Sequence, residues 1–298
     1  MRVAAKPRCM RWPTRTCVAC ALLLASTCAL ADPALWMAKS PTATVYLFGT
    51  LPAMPDGTRW RYPALDKAME ASGELYVEAN DDHSLSMKLW LMTHGMNFKH
   101  RLSSTLDATD RARLYAAVKD AGFKDPTSTV DVMRPWLAAL TVSVTSFTQA
   151  GYRAKSGAGE QLKQEFKARD KPIAALESGK EQFQLLAELS PSLQMDYLHS
   201  TLDNYAKGSA RIKALVTDWL AGNVSAIAKI ENGDLREHYP ALYEVLLVDR
   251  NRDWARQIDG LLKRHGTIFI VIGADHLAGP DSVQAQLAKL GIASMRVQ

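Results

Sequence analysis

One unbroken run of β-branched and aromatic residues near the carboxyl end, Thr267–Ile272, constrains the fold more than any other stretch. Such residues are stiff at χ1, and a run of this length is typical of a strand buried on both faces of a sheet. Gly273 ends the run, and Val283–Leu290 beyond it has the pattern of a short amphipathic helix. His276 is therefore predicted to lie in the loop at the carboxyl end of a central strand. Ligands of open α/β sheets bind at that edge, so His276 is a candidate site residue, with a solvated loop histidine as the alternative.

Two further strands are predicted to end nearby. Thr44–Phe48 and Glu74–Glu78 are short apolar runs, and the helical pattern Leu65–Ala71 separates them. Strand, helix and strand at this spacing predict a βαβ unit in which the two strands lie parallel. Glu78 then ends its strand at the same edge of the sheet as His276.

The middle of the chain is predicted to be mainly helical. Across residues 84–262, apolar residues recur at three- and four-residue steps, with one predicted strand at Pro172–Glu177. Another short strand is predicted at Leu35–Lys39. The predicted fold class is α/β, with a mixed or mostly parallel central sheet built from both ends of the chain and a large helical insertion. We find no repeat or linker, which predicts a single domain over residues 32–298.

The first 31 residues have the features of a secretory signal peptide. Basic residues precede an apolar run, Cys17–Leu30, which closes at Ala31 with a small-x-small cleavage box. The basic residues are Arg2, Lys6, Arg8, Arg11 and Arg15. We therefore expect an exported protein, periplasmic or secreted.

The formal net charge of +5 comes from that segment. Five of the 36 Lys and Arg residues lie there without any acidic residue, and the remainder balance the 31 Asp and Glu residues. A balanced chain lacks the basic excess that nucleic-acid binding requires, so we expect no nucleic-acid partner.

All four cysteines, Cys9, Cys17, Cys20 and Cys28, also lie before residue 32. The remaining chain has no thiol, which excludes a disulfide framework, a cysteine nucleophile and a zinc–thiolate site. The apolar run is shorter than the roughly 20 residues of a membrane-spanning helix. A soluble exported form is predicted, and lipid attachment at Cys28 would give a membrane-anchored alternative.

An arginine interrupts the apolar stripe of the helix that precedes the last long strand. Arg250 fills the gap between Leu247 and Trp254 on this face. A buried lone charge is costly, so Arg250 either meets an acidic partner or extends to the rim with its stem packed.

Four short motifs together resemble the TraB/GumN family, whose wider group includes the Tiki proteases. The chain is most similar to the bacterial GumN branch in its length and export signal. The motifs are Leu47–Thr50, Leu75–Glu78, Arg250–Trp254 and Gly273–Leu277.

The resemblance implies a metal-dependent peptide hydrolase with manganese or cobalt, held by two G-x-x-H motifs and a glutamate. The glutamate matches Glu78, and the second motif matches Gly273–His276. The first motif is Gly49–Pro52, with proline in place of histidine. Proline offers no side-chain ligand, and a catalytic ion usually needs about three protein ligands. His83, His94 or Glu177 would have to complete such a site.

Two main functions are compatible with these residues. In a metal-dependent hydrolase, Glu78 and His276 would be metal ligands, with Glu78 alternatively the general base, and Arg250 would orient Glu78 or stabilise negative charge. In the alternative, a non-catalytic envelope protein binds a peptide or glycan in the same cleft. Pro52 favours the second hypothesis. A purely structural role, with the polar groups satisfying one another, is a third.

Overall fold

The computed structural model describes residues 1, 32–80 and 84–298. The predicted signal peptide beyond its first residue, the four cysteines and His83 lie outside the described residues.

A six-stranded sheet forms the centre of the described residues, with strand order β4-β3-β5-β2-β1-β6. The strands are β1 (Leu35–Lys39), β2 (Ala43–Thr50), β3 (Glu74–Ala79), β4 (Ile173–Glu177), β5 (Gly266–Gly273) and β6 (Ser294–Arg296). Strands β4, β3, β5 and β2 run parallel, whereas β1 is antiparallel to both β2 and β6. The predicted α/β class, with a mixed and mostly parallel sheet, is confirmed.

Helices surround this sheet. In chain order they are α1 (Pro63–Ala71), α2 (Leu85–Gly95), α3 (Ala108–Asp120), α4 (Pro126–Val130), α5 (Pro135–Gln149), α6 (Ala158–Ala168), α7 (Gly179–Ala187), α8 (Pro191–Ala206), α9 (Gly208–Leu220), α10 (Val224–Ile227), α11 (Asp234–His238), α12 (Pro240–Tyr243), α13 (Arg250–Leu262) and α14 (Val283–Lys289). Within residues 84–262 the only strand among the described residues is β4, as the sequence predicts.

Both faces of the sheet are covered by apolar side chains. On one face, Ile268, Ile270 and Ile272 of β5 pack with residues of α13 and α14 such as Trp254 and Val283. The alternate residues of β5 pack on the opposite face, in a core that includes side chains of α1, α6 and α9. Because successive side chains of β5 enter the cores on opposite faces of the sheet, the strand is apolar on both faces.

Three local features differ from the sequence-based expectation. Within the region predicted to be mainly helical, the chain breaks between α8 and α9 at Gly208, whose φ of +63° glycine adopts without strain. Strand β6 was not predicted because it is short and only Met295 in it is apolar. The third difference is a pair of π-helical turns, Ala228–Gly233 and Glu244–Asp249, in segments predicted as regular helix or left unassigned.

No helix in residues 32–80 and 84–298 is long and apolar enough to cross a membrane. The expectation of no transmembrane helix after residue 31 is confirmed for those residues.

Candidate functional site

The parallel strands bring their carboxyl ends to one edge of the sheet. Thr50 of β2 pairs with Gly273 of β5, and Ala79 of β3 pairs with Glu177 of β4. Glu78 lies one residue before the end of β3. This edge carries the candidate residues that the sequence predicts, and α13 adds Arg250 as its first residue.

Arg250 lies at the centre of a polar cluster at this edge. Its Nε and Nη2 atoms donate to the two carboxylate oxygens of Glu177, each at 2.9 Å, and Nη2 also donates to Glu78 Oε1 at 2.8 Å. Nη1 lies 3.3 Å from the carbonyl oxygen of Leu246 and 3.2 Å from Nε2 of His276. A guanidinium has five N–H donors, so every donor of Arg250 has an acceptor.

The charge of Arg250 is retained although the side chain is only 13% exposed. Burial opposes the charged form, but the carboxylates of Glu78 and Glu177 outweigh it and raise the pKa of Arg250 above its usual value. The guanidinium also stacks over the Trp254 ring, 4.7 Å from its centroid. Trp254 in turn donates from its indole nitrogen to Glu177 Oε1 at 2.9 Å. The arginine therefore has acidic partners, and the sequence alternative of a rim-exposed side chain is wrong.

His276 is buried, on the single helical turn Ala274–Leu277 that follows β5. Its Nδ1 atom lies 2.6 Å from the Oδ1 atom of Asn251, whose amide nitrogen donates to the Asp281 carbonyl at 2.8 Å. Because the amide oxygen of Asn251 faces the ring, we infer that Nδ1 carries the proton. The lone pair on Nε2 then accepts from Arg250.

The imidazole of His276 is held neutral. Burial lowers its pKa below the usual 6.5, and nearby Arg250 adds to that, although Asp275 and Glu78 act in the opposite sense. The ring of Trp254 packs against it with centroids 4.4 Å apart. The alternative of a solvated loop histidine is therefore wrong.

Glu78 is held in its ionised form. Burial alone would raise its pKa, but His276 when protonated, Arg250 and the Gly273 N–H together lower it below the usual 4.5. The Gly273 N–H donates to Oε2 at 2.9 Å, and the amide of Gln182 donates to Oε1, also at 2.9 Å. Two carboxylates, one guanidinium and a neutral imidazole leave the cluster with one net negative charge.

The first glycine motif fixes the position of the turn that carries His276. A Cβ atom on Gly49 would lie 2.9 Å from the Cα atom of Ala274 and 3.3 Å from its Cβ atom. Only glycine lets β2 approach the turn Ala274–Leu277 this closely. The motif thus has a packing role here, whatever its fourth residue.

Pro52, the fourth residue of that motif, is exposed at a pocket of about 240 Å³. Thr50, Glu78, Gly159 and Gly273 also line this space, which we call the proline pocket. Pro52 and Glu78 therefore share a pocket, but the proline side chain has no atom that could bind a metal.

The donor set does not fit a divalent ion. Glu78, Glu177 and His276 surround the guanidinium of Arg250, which bonds one oxygen of Glu78, both oxygens of Glu177 and Nε2 of His276, while the other oxygen of Glu78 accepts from Gly273. His94 lies on α2 with its ring stacked on Trp90 and is exposed. Among residues 32–80 and 84–298, no three His, Cys, Asp or Glu side chains are arranged to hold a metal.

A second space lies on the other side of Arg250, between the two π-helical turns. It consists of a pocket of about 300 Å³ that reaches Arg250 and Asp275 and a pocket of about 210 Å³ that reaches Arg211. Both are lined by Tyr197, Glu231, Leu235 and Leu246, so we describe them together as the π-helix cleft. π-Helical turns occur frequently at functional sites.

The π-helix cleft has an unusual acid at its middle. Burial raises the pKa of Glu231, and Asp275 adds to the rise, against the opposing effect of Arg211. Nη2 of Arg211 donates to Glu231 at 2.8 Å and to the Ile230 carbonyl at 3.0 Å. The Nε atom of Arg211 is buried and has no hydrogen-bond partner among the described residues.

Sequence reasoning missed several members of these sites. Asn251 and Trp254 were visible beside Arg250 in the family motif but received no role. Arg211 and Glu231 gave no signal, and Glu231 lies in the π-helical turn Ala228–Gly233, which hydrophobic periodicity does not report.

The chain matches the sequence profile of the TraB/PrgY/gumN family over residues 34–295, nearly all of the described fold. The chain belongs to the TraB/PrgY/gumN family. Neither the curated proteins nor the solved structures include a significant match. Assignment to the GumN branch, and the grouping of this TraB/PrgY/gumN member with the Tiki proteases, stay predictions.

Proposed function

We propose that this TraB/PrgY/gumN protein is exported and binds a peptide-type ligand in the π-helix cleft, without catalysis by a bound metal ion. The observation that carries the proposal is the complete engagement of Arg250. Two of its five donors occupy Glu78 Oε1 and His276 Nε2, atoms that the family resemblance would give to a metal, and two more occupy both oxygens of Glu177. Pro52 removes a further ligand.

The lining of the π-helix cleft supports an amphipathic ligand. Near Arg250 the walls are mostly apolar, formed by Leu140, Phe183, Leu185, Leu186, Leu235, Leu246 and Leu247. Near Arg211 they carry hydroxyl groups from Ser143, Ser146, Ser200 and Thr201. An apolar side chain suits the first half, and peptide groups, which both donate and accept hydrogen bonds, suit the second. A glycan would leave the leucine-lined half without a matching partner.

Arg211 supplies the polar end of this cleft. Its unpartnered Nε–H would donate to a ligand carbonyl, and a buried donor without an acceptor costs about 1–3 kcal/mol. Ligand binding would remove that cost. These pockets also favour ligand binding over a purely structural role, since Glu78 and Arg250 each border one.

A metal-dependent hydrolase is the second candidate. One observation favours it: two ionised carboxylates and the Nε2 lone pair of His276 converge on the single position of the Arg250 guanidinium. In that function Glu78 and His276 would be ligands and Arg250 would have to move aside, with manganese or cobalt as the expected ion.

Metal content separates the two candidates. The chain from residue 32, which contains the whole sheet and every described helix, is incubated with Mn²⁺ or Co²⁺, freed of excess ion and assayed for bound metal and melting temperature. We expect no stoichiometric metal and no rise in melting temperature. A metal that bound only the folded state would stabilise it and raise the melting temperature. Stoichiometric metal with a raised melting temperature would favour the hydrolase.

Peptide binding tests the proposed function directly. Tripeptides with a central leucine or phenylalanine are titrated calorimetrically, with a neutral oligosaccharide as the competing ligand class. We expect peptide binding that Arg211→Met weakens about 10-fold, the loss of one hydrogen bond to a charged donor. Arg113→Met, at another paired arginine on α3, is the matched control. Binding of the oligosaccharide alone would contradict the peptide assignment, and an equal loss in both variants would contradict the site.

A further inference from the structure

The outer face of α2 exposes large apolar side chains. Leu85, Leu89 and Met92 are 72%, 54% and 57% exposed, and Phe98 just beyond the helix is 73% exposed. The first three recur at steps of four and three residues, so they share one face of the helix. Only Met87 and Gly95 of α2 are buried. Large apolar side chains exposed together in one segment mark a surface that contacts a membrane or another protein.

Basic residues accompany this apolar face. Lys88 lies on the same helix face, and Lys99, His100 and Arg101 follow Phe98, all of them exposed. The sequence has no acidic residue between Ser84 and Leu106. We call Leu85–Arg101 together with Arg134 the basic-apolar surface.

A small pocket in the basic-apolar surface is lined by basic groups and by no acid. It measures about 230 Å³, and His100, Arg101 and Arg134 line it with neutral residues such as Thr105 and Gln194. The neighbouring carboxylate, Asp131, is buried and accepts hydrogen bonds from the Ser103 N–H and the Tyr115 hydroxyl. The pocket is therefore suited to an anionic group such as a phosphate.

We propose that the basic-apolar surface docks this protein on an anionic lipid bilayer. The apolar side chains of α2 and Phe98 enter the headgroup boundary, while Arg101 and Arg134 contact lipid phosphates. The α2 helix has 11 residues, too few to span a bilayer, so it lies along the membrane plane. Charge complementarity distinguishes this partner from a second copy of the chain, because two facing copies would bring the same basic residues together.

Vesicle flotation tests the proposal with the chain from residue 32, which lacks the apolar run Cys17–Leu30. Vesicles of phosphatidylcholine are compared with vesicles that also contain phosphatidylglycerol, at low and high salt. We expect the protein to float only with the anionic vesicles and to dissociate at high salt, since screening weakens surface charge interactions.

Two double variants separate the apolar and basic contributions. Leu89→Gln with Met92→Gln removes flotation, and Arg101→Gln with Arg134→Gln weakens binding to anionic vesicles by roughly 5-fold per arginine. The matched controls are Met295→Gln, an exposed methionine on the edge strand β6, and Arg59→Gln with Lys213→Gln, exposed basic residues elsewhere in the chain. Circular dichroism and melting temperature confirm that each variant is folded.

Several results would overturn the proposal. One is a wild-type protein that stays unbound with anionic vesicles, and another is binding that the control variants weaken as much as the test variants do. A third is a dimer in solution that Leu89→Gln with Met92→Gln dissociates, which would make the surface an interface between copies of this chain.

Discussion

The Nη1 atom of Arg250 lies 3.2 Å from Nε2 of His276, so a positively charged side chain points at the lone pair of a neutral imidazole. This contact is stable because Asn251 fixes the proton on the other ring nitrogen. The guanidinium thus fills the position on which His276 and both carboxylates converge.

Removal of Arg250 is expected to destabilise the protein strongly. Arg250→Met leaves the partly buried carboxylates of Glu78 and Glu177 without a counter-charge, and breaking a buried ion pair costs about 3–5 kcal/mol. Urea unfolding at neutral pH measures the change. Arg256→Met, at an exposed pair with Asp253, is the control and should cost less than about 1 kcal/mol. Equal losses in the two variants would show that the cluster contributes no special stability.

Acidification is expected to destabilise the fold in two steps. Burial is the largest cause of the lowered pKa of His276 in the folded protein. The imidazole therefore binds a proton more readily in the unfolded chain, and stability is lost as pH falls below 6.5 toward the folded-state pKa. Glu78 adds a second loss of stability as pH falls below 4.5. Burial alone would raise its folded-state pKa, but the positive charges of protonated His276 and of Arg250 outweigh burial and hold that pKa low.

Urea unfolding across a pH series checks both steps. His276→Gln should remove the upper one, whereas His238→Gln, at an exposed histidine of α11, should retain it. An upper step that persists in His276→Gln would assign it to another group.

Glu231 should give the opposite pH dependence. Burial raises its pKa, so its contribution to stability is present below the unfolded pKa and is lost as pH rises through the folded-state value. The free energy of unfolding of Glu231→Gln is therefore expected to increase relative to the wild type as pH rises. Glu244→Gln, at an exposed surface pair with Arg252, should show no such trend. A difference between Glu231→Gln and the wild type that stays constant with pH would contradict the assignment.

Gly49→Ala should disturb the turn that carries His276. The new methyl group would meet the backbone of Ala274 at 2.9 Å, which no side-chain rotation can relieve, and overpacking of this kind costs about 1–3 kcal/mol. Gly260→Ala, in the last turn of α13 with no atom within 4 Å of the new methyl, should instead stabilise the protein by up to about 1 kcal/mol. Thermal unfolding of both variants measures the contrast, and a neutral Gly49→Ala would show that the turn can shift.

Restoration of the family histidine is not expected to create a metal site alone. Pro52→His adds an imidazole at the proline pocket, but Arg250 still engages Glu78 and His276. Pro52→His combined with Arg250→Met should bind Mn²⁺ or Co²⁺, whereas Arg250→Met alone should bind it more weakly. Isothermal titration measures the affinities, and tight binding by Pro52→His alone would mean that Arg250 moves aside readily.

The sheet could be predicted from the sequence because its strands are short apolar runs with clear ends. Thr267–Ile272 and Glu74–Glu78 each gave a strand within two residues of its observed bounds, and the parallel arrangement then placed Glu78 near His276. This step needs only the rule that parallel strands share a carboxyl edge.

The π-helix cleft could not be predicted because hydrophobic periodicity does not report a local change of helical winding. The sequence around Glu231 has the pattern of an ordinary helix end, and its partner Arg211 lies 20 positions away. The full partner set of Arg250 was equally hidden. Its stripe position indicated either an acidic partner or a side chain extended to the rim, and the choice between these, and among Glu78, Glu177 or both, depends on side-chain geometry.

The widened turn Glu244–Asp249 lies immediately before Arg250 and has a consequence for how this site can change over evolutionary time. A π-helical turn accommodates one residue more than a regular turn, and each residue of an α-helix advances the chain by about 100°. Loss of a single codon within this turn would therefore rotate the cleft-lining side chains that precede the deletion to another side of the helix, while α13, with Arg250 as its first residue, keeps its packing. One small deletion, without any substitution at the edge of the sheet, would reshape the wall of the π-helix cleft and leave Arg250 paired with Glu78 and Glu177.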